Sequence, residues 1–150
     1  MQLLKEGKNI GIISEAGCPG VADPGQILVE AAQQLNAEIK PLVGPSSILL
    51  ALMASGMNGQ KFQFHGYLPI DNQARKKTIK ELESDSAKRQ CTQLFIETPY
   101  RNNQLLEDIL QSCRENTRVC IAADITSPTE NIRTRTVKEW KAAKPNLHKK

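Results

Sequence analysis

The chain has 150 residues, of which 39% are hydrophobic and 24% charged, and its net charge at pH 7 is +4. This length suits one domain or two small ones, and the hydrophobic fraction is too high for a disordered segment. No stretch reaches the roughly 18 apolar residues of a membrane helix and the N-terminus lacks the apolar core of a signal peptide, so we expect a soluble, cytoplasmic protein without membrane association.

The first half of the chain predicts two strands, each followed by a helix. Residues 3–6, followed by Gly7, indicate the end of an earlier helix. The apolar run of residues 9–13 is typical of a strand buried on both faces, and residues 38–43 predict the next strand. Pro41 places this second strand toward an edge of its sheet.

Two helices are predicted in the same half. Asp23 and Pro24, as N-cap and first helical residue, open a helix that ends near Asn36. Residues 48–54 are apolar almost all round and predict a buried helix that stops near Gly56. The order strand, helix, strand, helix indicates parallel strands joined by right-handed crossovers.

The second half has a different pattern, from Lys61 onward. Its strands are predicted at residues 62–66, 92–96, 118–123 and, with a poorer pattern, 130–136. Its helices are a basic helix at 72–83 capped by Asp71, a helix with an apolar face, and a short helix at 137–143 that carries Trp140. The apolar face consists of Leu105, Leu106, Ile109, Leu110 and Cys113.

We therefore predict an α/β protein of two domains, with the boundary near residues 56–60. Residues 1–58 would be a partial domain with a parallel sheet. Residues 59–150 would be a domain with a mixed sheet that lacks its last strand.

The cysteines and histidines give no sign of a metal site. None of the four cysteines shows C-x-x-C spacing or lies beside a histidine at metal-ligand spacing, and two histidines are too few for a zinc site. We expect free thiols in a reducing compartment. The cysteines are Cys18, Cys91, Cys113 and Cys120.

Loops of small residues follow the two predicted strands of the first half, at residues 14–19 and 44–47. In open α/β sheets, ligands bind beyond the carboxyl ends of the strands. Small residues let the backbone approach a ligand, and helix starts leave N–H groups free. We expect the two loops to be adjacent walls of one small-molecule pocket. The alternative is two ordinary turns whose glycines only satisfy turn geometry.

The loops lack the motifs of two common nucleotide-binding folds. Neither G-x-x-x-x-G-K-[ST] nor G-x-G-x-x-G occurs, which argues against a P-loop and against a standard dinucleotide fold. Glu15, at the mouth of the first loop, would repel a phosphate. Its carboxylate suits a hydroxyl group or a cationic ligand better.

Four motifs occur in order along the chain. They are G-I-I-S-E-A-G-C-P-G-V-A-D-P-G at residues 11–25, V-G-P-S-S at 43–47, G-Y-L-P at 66–69 and F-I-E-T-P-Y-R at 95–101. They resemble motifs of the tetrapyrrole (corrin/porphyrin) methylase superfamily, most closely its small-subunit ribosomal RNA ribose 2'-O-methyltransferases. The first, third and fourth are similar to that family's I-S-D-A-G-T-P-x-[IV]-[SA]-D-P-G, G-F-L-P and F-Y-E-S-P-H-R. The similarity covers about residues 8–140.

The resemblance implies a two-domain methyltransferase, usually a homodimer, that binds S-adenosylmethionine in the cleft between its domains and needs no metal. Thr98 enters the expected site through the resemblance alone, because a threonine after a strand is more often a cap. The residues expected to contact the methyl donor are Glu15, Ala16, Gly17, Cys18, Pro19, Pro45, Ser46, Ser47 and Thr98.

The reaction that the resemblance implies is a direct displacement. A substrate oxygen, nitrogen or carbon attacks the donor's methyl group in line, and the sulfonium charge disappears. Alignment of the two reactants can contribute about 7–11 kcal/mol. A ribose hydroxyl must also lose its proton, and Glu97 and Asp124 are candidate bases because each follows a strand. The alternative for each is a helix cap or a surface carboxylate.

Three positions and one four-residue segment depart from the family pattern. Glu15 replaces Asp, Cys18 replaces Thr, Tyr100 replaces His, and residues 123–126 replace R-E-L-T. These changes affect the substrate more than the methyl-donor site. The family's first strand, its G-N-L-x-D loop and its closing strand are not found, so we expect a chain truncated at both ends that binds the donor weakly or not at all.

Ribosomal RNA is the leading methyl acceptor, because clustered basic residues can contact phosphates. These are Arg75, Lys76, Lys77, Lys80, Lys88, Arg89, Arg133 and Arg135. For the cluster at 75–80, a solvated helix face is the plainer interpretation. Two alternatives stay open: methylation of a tetrapyrrole or another small molecule, and a non-catalytic domain that binds a nucleotide-like ligand or a protein.

Overall fold

The computed structural model describes residues 2–15 and 17–150. They form two compact units, Met1–Ser47 and Ile48–Lys150. The division into domains at 1–58 and 59–150 stays a prediction. The elements are α1 (Gln2–Lys5), α2 (Gln26–Gln34), α3 (Ser47–Ser55), β1 (Phe62–Tyr67), α4 (Asn72–Arg89), β2 (Thr92–Ile96), α5 (Asn102–Ser112), β3 (Arg118–Ala123), β4 (Asn131–Thr136) and α6 (Val137–Ala142).

The two strands predicted in the first unit do not form. Within the described residues, neither segment 9–13 nor segment 38–43 is paired in a sheet. Ile13 is 94% exposed and Val43 fully exposed, so the expected burial on both faces is also wrong. A strand needs a neighbour that accepts and donates ladder hydrogen bonds. An apolar run alone therefore does not make one.

The helices of the first half differ from their predictions in position and burial. Gly25, with a φ of 142°, is the N-cap of α2 in place of Asp23. Helix α3 is not buried all round, because Leu49 is 50% and Met53 79% exposed. Asn36 follows α2 with a φ of 52°, a left-handed conformation that stops the helix as predicted.

The second unit contains both sheets. Strands β1 and β2 pair in parallel, with an irregularity between Phe64 and Tyr67. Strands β3 and β4 pair antiparallel from Arg118, opposite Thr136, to Ala123, opposite Asn131. The predicted mixed sheet is thus present as two separate two-stranded sheets. The mixed α/β class is confirmed.

Helix α5 forms the centre of the core, and its predicted apolar face is confirmed. Because the face is wide, α5 contacts two clusters of buried side chains. Burial of each such side chain contributes about 1.5–3 kcal/mol. One cluster is Leu68, Ile79, Leu105 and Ile109, and the other is Leu106, Leu110, Val137 and Trp140.

Helix α4 begins as predicted and ends later. Asp71 caps it by accepting a hydrogen bond from the Ala74 N–H at 2.8 Å. The helix continues past its predicted end at residue 83 to Arg89, and Gln90 ends it with a φ of 53°. Arg89 supports the last turn, since its Nε lies 2.8 Å from Asp85 Oδ1 one turn earlier.

A buried ion pair joins α4 to α5. Arg75 Nε donates to Asp108 Oδ2 at 2.7 Å, and both side chains are at most 4% exposed. Arg75 Nη1 also donates to the Ile70 carbonyl at 2.7 Å, and Asn72 Nδ2 donates to Asp108 Oδ1 at 3.0 Å. Such contacts are needed to offset the cost of removing both charges from water.

Replacing Asp108 by Asn should lower the free energy of unfolding by about 3–5 kcal/mol, because the Arg75 charge stays buried without its counter-ion. Urea denaturation measures the change. Glu81→Gln is the matched control, because Glu81 forms an exposed pair with Lys77 at 4.0 Å; it should cost less than about 1 kcal/mol. A small effect of both substitutions would contradict the importance of the pair.

Cys113, at the end of α5, has a thiol that is unusually hard to ionise. Burial, together with the neighbouring Glu83 carboxylate, raises its pKa from 9.0 to about 12. The thiolate is the form that reacts with alkylating agents. Between pH 9 and pH 12, Cys113 therefore remains mostly protonated where an ordinary thiol is ionised.

We expect iodoacetamide at about pH 9 to alkylate Cys113 more slowly than an ordinary cysteine. Peptide mass spectrometry measures the labelling of each cysteine against time. Protein unfolded in urea is the control, and there Cys113 should react at the ordinary rate. Fast labelling of Cys113 in the folded protein would show that its environment does not protect it.

None of the helices in the described residues is long and apolar enough to cross a membrane.

Candidate functional site

Two loops of the first unit meet at Cys18 and Pro45. The Cys18 thiol donates a hydrogen bond to the Pro45 carbonyl oxygen, with Sγ and O 3.6 Å apart. These residues belong to the loops at 14–19 and 44–47, which each follow a predicted strand. The structure thus brings the two small-residue loops together although the strands before them are unpaired.

The first loop has a backbone that favours glycine. Gly17 and Gly20 both have a φ of 77°, a region in which an L side chain costs roughly 1–2 kcal/mol. The Cys18 carbonyl accepts from the Val21 N–H at 3.1 Å and closes a turn around Gly20. A Cβ on Gly17 would meet nothing within 4 Å, so there is open space beside this glycine.

Backbone donors in both loops are available to a polar ligand. Across residues 2–15 and 17–150, no hydrogen bond uses the N–H of Gly17, Cys18 or Ser46. Ser47 begins α3, whose first N–H groups have no partner within the helix. Glu15 is exposed. Ala16 lies outside the described residues.

Thr98 lies in the second unit, in the turn between β2 and α5. Its N–H donates to Glu97 Oε1 at 2.6 Å, and its carbonyl accepts from the Arg101 N–H at 3.0 Å. Arg101 Nε donates to Thr98 Oγ1 at 3.2 Å, and Arg101 Nη2 lies 2.7 Å from Glu97 Oε1. These bonds hold the turn of the fourth motif in one conformation.

The surroundings of Glu97 suit a positioning role better than proton transfer. Its side chain is 3% exposed, and Oε1 already has two donors, from Thr98 and Arg101. A general base must reach the proton that it removes. A carboxylate so buried and so paired has little access to a substrate hydroxyl.

Asp124, the second candidate base, follows β3 with a φ of 51°. Its Oδ2 accepts from Lys150 Nζ at 2.8 Å and from the Thr129 hydroxyl at 2.9 Å. These hydrogen bonds, with the Lys150 contact the larger, lower the pKa of Asp124. The side chain is 20% exposed and therefore more accessible than Glu97, but the lowered pKa makes it a weaker base.

The structure also contains a cavity that the sequence did not predict. It has a volume of about 300 Å³ and lies in the second unit, between one face of the β3–β4 sheet and residues 143–150. The only signal in the sequence is the alternation of Asn131, Arg133 and Arg135 along β4. These three side chains line the cavity.

The basic cluster on α4 does not form a set of free cations. Arg75 is 2% exposed and paired with Asp108, so its predicted contact with phosphate is wrong. Lys76 Nζ donates to Gln111 Oε1 at 2.8 Å and lies 3.6 Å from Asp108 Oδ1. Local spacing did not reveal these partners, because they lie more than 30 residues away on α5.

The described residues contain no group of three or more His, Cys, Asp or Glu side chains that could hold a metal ion.

Glu97→Gln should lower the free energy of unfolding by about 1–3 kcal/mol, because Arg101 and the Thr98 N–H lose a charged acceptor. Urea denaturation tests this. Glu107→Gln is the control, since Glu107 forms its ion pair with Lys144 on the surface and should contribute little. Unchanged stability of Glu97→Gln would contradict the structural role of this carboxylate.

The sequence matches known proteins over most of its length. A family model described as Tetrapyrrole (Corrin/Porphyrin) Methylases matches residues 1–141. "Ribosomal RNA small subunit methyltransferase I" of Buchnera aphidicola subsp. Schizaphis graminum is 36% identical over 129 residues, which are 86% of this chain and 44% of that protein. The protein of the same name from Haemophilus influenzae is 34% identical over 152 residues, 99% of this chain and 52% of that protein. The chain spans about half the length of these curated relatives.

A solved structure supports the fold. "Crystal structure of the methyltransferase CobJ" matches with a TM-score of 0.60 over 92% of this chain and 61% of that chain. The identity is 21%, so the likeness concerns the fold alone. It confirms the α/β fold expected from the four motifs.

Proposed function

The chain belongs to the tetrapyrrole (corrin/porphyrin) methylase family, and from this premise we propose an S-adenosylmethionine-dependent methyltransferase that acts on small-subunit ribosomal RNA. The relatives' name supports the choice of acceptor. The observation that carries the proposal is the contact between Cys18 and Pro45, because it unites the two loops that the family motifs assign to the methyl donor. A ribose hydroxyl is the proposed methylated group.

The residues of the first unit fit such a donor. S-adenosylmethionine presents hydroxyl, amino and carboxylate groups, which need polar partners in a binding site. The N–H groups of Gly17, Cys18 and Ser46 have no hydrogen bond within the described residues and are suitable donors, and the Glu15 carboxylate suits a hydroxyl or a positive charge. When bound, S-adenosylmethionine supplies an activated methyl group. The full set proposed for the donor is Glu15, Ala16, Gly17, Cys18, Pro19, Pro45, Ser46, Ser47 and Thr98.

Two departures from the family pattern, at Cys18 and Glu15, are compatible with this proposal. Cys18, in place of the usual Thr, still has a hydrogen-bond donor and uses it to bind Pro45. Glu15, in place of Asp, keeps the carboxylate at the mouth of the loop. These substitutions therefore retain the chemistry of the donor site.

The general base is the less supported part of the proposal. Asp124 is the better placed of the two candidates, since its side chain is 20% exposed and that of Glu97 is 3% exposed. Its pairing with Lys150 would have to open before it could accept a proton. The homodimer implied by the family resemblance and the cytoplasmic location expected from the sequence are also part of the proposal.

The test is transfer of a labelled methyl group by the full-length protein. We expect label in the ribose of unmodified small-subunit ribosomal RNA and none in a panel of tetrapyrroles.

Gly17→Ala should weaken S-adenosylmethionine binding about tenfold, since the left-handed backbone costs an L residue roughly 1–2 kcal/mol. Calorimetric titration measures this binding.

Gly59→Ala is the matched control, because Gly59 also has open space around it and does not have a positive φ. It should leave donor binding unchanged. Label in tetrapyrroles but not in RNA would replace the proposed acceptor. Equal donor binding by both variants would remove Gly17 from the site, and no methyl transfer to either acceptor would refute the enzyme activity.

A further inference from the structure

We propose that Arg133 and Arg135 of β4 bind phosphate groups of an RNA backbone at the cavity in the second unit. The inference rests on the proposed function, because it names the surface through which the same protein would hold its RNA. It selects one of several basic clusters that the sequence presents as equivalent.

The strand register places the two arginines beside each other on one face of the sheet. Arg133 pairs with Ile121 and Arg135 with Val119 in the antiparallel ladder. Residues directly opposite in such a ladder, and residues two apart on one strand, share a face. Val119 and Ile121 pack against the cluster around Trp140, so this face is also the one that supports α5 and α6.

Both guanidinium groups are available to an anion. Arg133 and Arg135 are exposed, and within the described residues no carboxylate forms an ion pair with either of them. Glu139 interacts electrostatically with Arg135, but its Oε2 accepts from the Thr136 N–H at 2.8 Å and from the Thr136 hydroxyl at 2.7 Å. The cap of α6 thus engages this carboxylate.

The cavity has a positive excess. Its lining includes Arg133, Arg135 and Lys150 against one carboxylate, Asp124. Lys150 lies 2.8 Å from Asp124 and compensates its charge. The two arginines form no ion pair within the described residues, and they line a cavity of about 300 Å³, which is at the small end of the range for ligand sites.

Arg135 is held in place by an aromatic ring. Its Cζ lies 5.1 Å from the centroid of the Trp140 ring, a distance at which a cation is attracted to the ring face. Trp140 is itself fixed, since its Nε1 donates to the Val119 carbonyl at 2.9 Å. A guanidinium positioned in this way loses less side-chain entropy when it binds a phosphate through two parallel hydrogen bonds.

The same ring argues for the backbone and against the bases of RNA. Trp140 is 4% exposed and lies under Arg135, so it offers no surface on which a base could stack. Phosphate contacts carry no direct sequence information. We therefore expect the binding at this site to be independent of RNA sequence and strongly dependent on salt.

The test is fluorescence anisotropy of an unmodified single-stranded RNA oligonucleotide with the full-length protein over a series of salt concentrations. Arg133→Gln with Arg135→Gln should weaken binding on the order of tenfold. It should also reduce the slope of log K against log salt by about 1.4, or about 0.7 for each lost phosphate contact. Lys77→Gln with Lys80→Gln removes the same charge from α4 and should leave the slope unchanged.

The single substitution Arg133→Gln is a control for folding, because the Arg133 side chain has no hydrogen bond or ion pair within the described residues. It should reduce the slope by about 0.7. Equal losses in the two double variants would overturn the inference in favour of diffuse surface charge. RNA binding that is insensitive to both arginines would also overturn it.

Two further arms separate the remaining explanations. Inorganic phosphate alone should compete with the RNA only weakly; if it bound the cavity as tightly as RNA does, the site would be one for small anions and the inference would fall. Calorimetry with S-adenosylmethionine is run on the same preparations. If the protein binds S-adenosylmethionine but its RNA binding does not depend on the two arginines, only this inference is refuted. If it does not bind S-adenosylmethionine, the proposed function is refuted.

Discussion

The Arg75 guanidinium and the Asp108 carboxylate lie 2.6 Å apart with almost no contact with water. This pair fixes α4 against α5, and through the Pro69 and Ile70 carbonyls it also fixes the end of the third motif. Helix α5 in turn begins at the end of the fourth motif. One buried interaction therefore determines how two of the four family motifs are held in the second unit.

The side of α5 that contacts α6 supports the cavity in the second unit. Its buried leucines pack against Val137 and Trp140, and Trp140 bonds to the Val119 carbonyl. This packing sets the position of α6 beside the β3–β4 sheet and leaves the cavity lined by Arg133 and Arg135. The Glu97–Arg101 turn and the cavity thus both depend on the same helix, so damage to α5 would affect both together.

The first unit is held in a different way. Its two loops are joined by a thiol–carbonyl hydrogen bond, a weak interaction because S–H is a poor donor. Ile13, Leu42 and Val43, next to these loops, are more than 90% exposed. A ligand that engaged the free N–H groups of the loops would add stronger contacts than those now present, so donor binding and loop order should be coupled.

The sequence by itself determined those elements whose signals are local. The Asp71 cap, the β2 strand and the apolar face of α5 follow from neighbouring residues, and so do the four motifs that identify the family. Only the tertiary structure decided whether the segments 9–13 and 38–43 form strands, because a strand requires a partner elsewhere in the chain. It also decided which cations are free. Arg75 and Arg133 both have polar neighbours in the sequence. Arg75 is buried against Asp108, which lies 33 residues away, whereas no carboxylate in the described residues pairs with Arg133.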